Sequence, residues 1–197
     1  MSFAALAPLR VDPAQAVLLL IDFQERLAAV MDAAERAACE RNILILVELA
    51  RRLRIPVVQS EQYPRGLGPT VAAFTAALAA PDLQLTRLQK MEFACTEAPG
   101  FRALFDDFQR AGRAQWLVVG MESHVCVWQT ARGLLSWGGV VHLPADAVIS
   151  RSPANRRVGL ELAARAGAVI TSTETVAFDA LVRAGGDDFK AISRLVR

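Results

Sequence analysis

Short apolar runs alternate with stretches whose apolar residues recur every three or four positions. The sharpest pair is central. Trp116-Leu117-Val118-Val119 is continuous and stops at Gly120, the pattern of a strand buried on both faces. Val125, Val127, Trp128, Ala131, Leu134 and Leu135 then follow at the spacing of one helix face, which Gly138 closes. Ala16 to Ile21 is an earlier strand-length run, with Asp22 at its end. Pro56 opens a strand over 56–60, and 83–88 alternates apolar and polar, with Lys90 just past it. Strands at 139–143 and 168–171 complete the set.

Helices are expected near Gln24, at 32–53 with Ile43, Leu46, Val47 and Ala50 as its stripe, at 70–78, from Pro99 to Gly112, at 155–166 and at 174–183. Residues 61–69, EQYPRGLGP, carry two prolines and two glycines and predict a long loop over a strand end. Six strands alternating with helices, without a hairpin signal, predict an α/β fold. It is a single-domain, doubly wound, three-layer α/β/α sandwich with a six-stranded parallel sheet, Rossmann-like in layout. Residues 1–15 read as an N-terminal tail, 16–184 as the domain, and 185–197 as a C-terminal tail with room for a short helix.

A length of 197 residues suits one domain, and a hydrophobic share of 53% suits a large core or an apolar oligomer interface. The 22 basic and 20 acidic residues leave a net charge of +2 without a basic block, so nucleic acid is a poor partner. No apolar run reaches the ~18 residues that cross a bilayer, so no membrane partner is expected. The first fifteen residues do not read as a signal peptide. Cys39, Cys95 and Cys126 are odd in number and scattered, without C-x-x-C. A cytoplasmic, reducing location fits them best.

In an open parallel sheet, ligands bind beyond the carboxyl ends of the strands, near the reversal of strand order. Asp22, Lys90 and Cys126 each follow a predicted strand. If the first and fourth strands flank the reversal, Asp22 and Cys126 are neighbours there. A carboxylate beside a thiol can take its proton, and a nearby ammonium favours the thiolate. The start of a helix favours it further. Taken singly, Asp22 also reads as a helix cap, Lys90 as a solvated lysine, and Cys126 as an inert buried thiol. The chain reads IDFQER after the first strand, without the G-x-G-x-x-G of a dinucleotide site, so no such cofactor is expected. His124 and His142 are the only histidines and lie 18 positions apart, so no metal site is expected.

LLLIDFQ at 18–24, KMEF at 90–93, GMESHVCVWQTA at 120–131 and ADAVISRS at 145–152 together resemble the isochorismatase-like cysteine hydrolases, over about Val17 to Phe178. EQYPRGLGPTV at 61–71 and the GxExHVCVxQT form at 120–130 are most similar to the isochorismatase domain-containing protein subgroup. The resemblance implies Cys126 as nucleophile, Asp22 as general base and Lys90 beside both. It also implies a non-proline cis peptide before Glu122, and an oxyanion hole made by the backbone N–H groups of Glu122 and Cys126. A thioester would form on Cys126 and be hydrolysed by water. Nicotinamidases, in contrast, follow the second strand with an aspartate and histidines that bind a metal, and SEQYPRGLG has no histidine.

The expected activity is therefore metal-independent hydrolysis of a small amide, carbamoyl or ester substrate, without a cofactor, by a homo-oligomer. Phe23, Gln59, Tyr63, Phe93 and His124 are the candidates for the pocket wall, each equally readable as ordinary packing or a local polar contact. A thiol-based redox protein and a catalytically idle oligomeric binding module are the rival expectations.

Overall fold

The computed structural model describes residues 9–197. Its strands are β1 (Ala16–Ile21), β2 (Val57–Gln62), β3 (Leu85–Lys90), β4 (Gln115–Met121), β5 (Val140–Pro144), β6 (Val148–Ile149) and β7 (Val169–Thr171). They form one sheet in the order β3-β2-β1-β4-β5-β7, with β6 paired to β4. Every pairing is parallel. Strand order reverses between β1 and β4, which places the ends of those strands side by side. Gly120 makes this approach possible. Its φ is +115°, and a Cβ there would lie 2.1 Å from the carbonyl oxygen of Ile21.

The helices are α1 (Glu25–Ala28), α2 (Ala33–Leu53), α3 (Pro64–Leu67), α4 (Ala72–Leu78), α5 (Phe101–Arg110), α6 (Trp128–Ser136), α7 (Pro153–Arg165), α8 (Thr173–Leu181) and α9 (Asp187–Leu195). Side chains of a strand alternate between faces, and β1 is buried on both. Ala16, Leu18 and Leu20 face a layer that includes Ile43, Leu46 and Leu49 of α2. Val17, Leu19 and Ile21 face the opposite layer, with Phe101, Phe105, Trp116 and Leu134. There Trp116 stacks on Phe105 at 5.7 Å and meets Phe108 edge-on.

Several boundaries differ from the sequence expectation. β3 starts and ends two residues later, so Lys90 is its last residue and not the first beyond it. Pro99 does not open α5. Gly100, left-handed at φ +82°, caps that helix, which begins at Phe101 behind a short 3-10 turn at Cys95–Glu97. The 61–69 loop is shortened, because β2 runs to Gln62 and Pro64–Leu67 forms a helical turn. A seventh, two-residue strand, β6, lies in ADAVISRS and pairs with the end of β4. Residues 185–197 hold α9, which buries Ile192 completely in the α2 layer. Of the expected N-terminal tail, residues 1–8 lie outside the described residues, and Val11 is already buried.

Candidate active site

Asp22 follows β1 in a left-handed conformation, φ +46°, which a short polar side chain tolerates better than a bulky one. Its N–H donates to the carbonyl of Ser60 at 3.2 Å. Its carboxylate is fully buried. Lys90 Nζ donates to Oδ2 at 2.5 Å, and Ser60 Oγ donates to Oδ1 at 2.7 Å. Lys90 Nζ also donates to the carbonyls of Glu92 at 3.1 Å and Phe93 at 3.0 Å. An ammonium has three protons. All three are engaged, so Lys90 acts on the site through its charge and through Asp22.

Cys126 sits on a π-helical turn, Ser123–Val127, that leads from β4 into α6. The turn closes with Val127 N–H donating to the carbonyl of Glu122 at 3.2 Å. Single π turns of this kind are frequent at functional sites. The Cys126 thiol is 6% exposed and hydrogen-bonds to the Asp22 carboxylate. Burial pushes the thiol well above the ordinary cysteine range. The Asp22 charge and hydrogen bond add to this, and the Lys90 charge opposes it. The group therefore rests as a thiol beside a carboxylate. Helix-start logic favoured a thiolate, but that effect is outweighed by loss of water and by the carboxylate next door.

The Met121–Glu122 peptide is cis, as the resemblance implied. Glu122 is 5% exposed, and its Oε2 accepts from Arg151 N–H at 2.9 Å and Arg151 Nε at 3.1 Å. β6 and the residues after it thus brace the turn that carries Cys126.

The structure brings Asp22, Lys90 and Cys126 together and separates the pocket candidates. Phe23 is fully buried, edge-on to Phe74 at 5.1 Å. Gln59 is buried and donates to Thr70 Oγ1 at 2.6 Å. His124 lies against Ser150 Oγ at 3.1 Å, a local polar contact. Tyr63 and Phe93 are 46% and 55% exposed. Tyr63 lines a cavity of about 470 Å³ with Pro64, Arg65, Met91, Glu92 and Lys90. Lys90 belongs both to this cavity and to the buried cluster with Asp22; Cys126 and Asp22 do not line it.

Two further residues adjoin this cluster, Ser60, which was not singled out in the sequence, and Cys95, which was read there only as one of three scattered cysteines. Ser60 is fully buried against Asp22. Cys95, also fully buried, hydrogen-bonds to Ser60 and Thr130, and burial pushes its thiol up to about 11. A polar residue at the last fully buried position of an apolar strand was the available signal for Ser60. Among the described residues, no group of three His, Cys, Asp or Glu side chains is placed to hold a metal ion. Among the same residues, no helix is long and apolar enough to cross a membrane.

A family model described as "Isochorismatase domain" matches residues 16–175. "Isochorismatase domain-containing protein 1" of Danio rerio is 34% identical, over 98% of this chain and 67% of its own length. "Secreted isochorismatase effector Isc1" of Phytophthora sojae is 35% identical, over 95% of this chain and 87% of its own. Among solved structures, one described as MAR1 ribonuclease from Caenorhabditis elegans superposes with a TM-score of 0.82 at 31% identity, covering 95% of this chain and 92% of that one.

Proposed function

The chain belongs to the isochorismatase family, and we propose that it is a cysteine hydrolase that cleaves a small amide, carbamoyl or ester substrate through a thioester on Cys126. The observation that carries this proposal is the Cys126 thiol hydrogen-bonded to an Asp22 carboxylate that Lys90 holds from the other oxygen.

A buried thiol and a buried carboxylate suit proton transfer during attack, not a standing thiolate. As the sulfur bonds to the substrate carbonyl carbon, the thiol proton passes to Asp22. The backbone N–H groups of Glu122 and Cys126 receive the oxyanion. The tetrahedral adduct collapses, and Asp22 returns the proton to the departing nitrogen or oxygen. Water then attacks the thioester with Asp22 as its base, and the acid leaves with the thiol restored. Lys90 holds the Asp22 carboxyl in place throughout. No step calls for a metal or a cofactor.

The ribonuclease named for the Caenorhabditis elegans structure suggests an RNA substrate there. RNA cleavage calls for acid–base groups that face a 2′-hydroxyl and a phosphate in the open, whereas Asp22 is fully enclosed beside a thiol. A small molecule fits this enclosure better. A reducing, cytoplasmic setting suits a working thiol. Exposed Tyr63 and Met91 on the wall of one cavity, with exposed Phe93 two residues on from Met91, suit a homo-oligomer that covers them.

A panel of small amides, carbamoyl compounds and esters tests the proposal. The wild type turns over at least one class, and Cys126→Ser loses roughly 10³-fold or more. Equal turnover by both proteins would overturn it. Reversible oxidation of Cys126 without hydrolysis of any compound would favour a redox protein.

A further inference from the structure

We propose that Ser60 is a positioning residue that aims the Asp22 carboxylate at Cys126. The proposal rests on the Asp22–Cys126 pairing described above. Among the described residues, Ser60 is the only side chain besides Lys90 and Cys126 that hydrogen-bonds to that carboxylate.

Ser60 grips Asp22 at both ends. Its carbonyl accepts the Asp22 N–H at 3.2 Å, and its hydroxyl donates to Oδ1 at 2.7 Å. Lys90 takes Oδ2 at 2.5 Å. One donor leaves a carboxylate free to rotate about that contact. Two donors on opposite oxygens fix its plane, and with it the lone pair that receives the thiol proton.

The local sequence supports a working hydroxyl. β2 reads Val57-Val58-Gln59-Ser60, and Ser60 is fully buried. A hydroxyl there without a partner would be costly, and alanine would serve packing alone. The hydroxyl is held from behind as well. Cys95 hydrogen-bonds to Ser60 and to Thr130. Cys95 N–H donates to Thr130 Oγ1 at 2.9 Å. Thr130 lies four residues after Cys126, so the support behind the base and the turn that carries the nucleophile share one set of contacts.

Alkylation of Cys126 by iodoacetamide, followed by intact mass across pH, tests the role without any substrate. The enclosed thiol reacts at neutral pH as Asp22 takes its proton, so the neutral-pH rate reads how well that carboxylate is aimed. Ser60→Ala removes one of the two donors that fix it and frees it to turn. The neutral-pH rate then falls about tenfold, while the rate at high pH, where hydroxide takes the proton, stays near that of wild type. Ser60→Thr keeps the hydroxyl and restores the wild-type rate. Ser60→Gly, which also lacks the hydroxyl, gives the alanine result should Ser60→Ala fail to fold. Superposable profiles for wild type and the alanine or glycine variant would overturn the proposal. Equal loss in Ser60→Thr and Ser60→Ala would do so too, since packing alone would then explain both. Turnover of the substrate panel is a separate reading: an intact Ser60 effect on alkylation alongside no hydrolysis would count against the hydrolase and not against Ser60.

Discussion

Lys90 spends all three of its ammonium protons within the protein. Its ammonium is enclosed, with one carboxylate and two carbonyls as acceptors. Removing it leaves the Asp22 charge buried with one strong partner fewer, a change that costs about 3–5 kcal/mol when a buried pair is broken. Lys90→Ala should therefore melt several degrees lower and alkylate more slowly at Cys126 at neutral pH. Melting curves and alkylation kinetics measure both; an alkylation profile that matches wild type at every pH would remove Lys90 from the account. The meeting of Asp22 and Lys90 near Cys126 was legible in the sequence because each of the three follows a predicted strand of one parallel sheet. Ser60 was not, since a serine at the end of a predicted strand over 56–60 shows nothing of what its hydroxyl meets. The state of the thiol was misread for a related reason: enclosure is a property of the fold, and it outweighs the helix-start effect that the sequence displays.

At the scale of elements, the site depends on how tightly the Ser123–Val127 turn can sit on α7. Gly159, in the middle of α7, is what allows it. A Cβ at that position would lie 2.5 Å from the carbonyl oxygen of Ser123. Gly159→Ala should push the turn away, at about 1–3 kcal/mol of stability, and slow Cys126 alkylation more than a remote core substitution of equal cost. Paired measurement of melting temperature and alkylation rate checks this, and an unchanged rate would show that the turn tolerates displacement. The strand–helix order was readable because apolar periodicity survives in short windows. The π turn was not, because π and α turns bury nearly the same residues over five positions. The start of α5 was misplaced because Gly100, not Pro99, supplies the left-handed cap.

Across the whole molecule, the three thiols link stability to alkaline pH. Burial pushes Cys39 up to about 12 and Cys95 up to about 11. In the unfolded chain a thiol ionises near ~8.5. Their folded values are raised, so this contribution is fully present below the unfolded value and is lost as pH climbs through the folded ones. Melting temperature should fall from pH 9 toward 11 (window set by the ~8.5 reference), and Cys39→Ala should flatten that fall while shifting the whole curve. A slope unchanged in Cys39→Ala would contradict the assignment. The layered α/β plan was legible from alternation alone, whereas the docking of α9 through Ile192 was not, because one buried residue in a polar segment leaves little pattern.

A hydrolase of this kind forms a covalent bond to one sulfur. Acid-quenched mass spectrometry during turnover of a small activated ester, for which deacylation is slow, reads that bond directly. A mass increase equal to the acyl group is expected on the peptide that contains Cys126, appearing and decaying with product release. Full-rate product formation with that peptide unmodified, or the same turnover by Cys126→Ser, would contradict it.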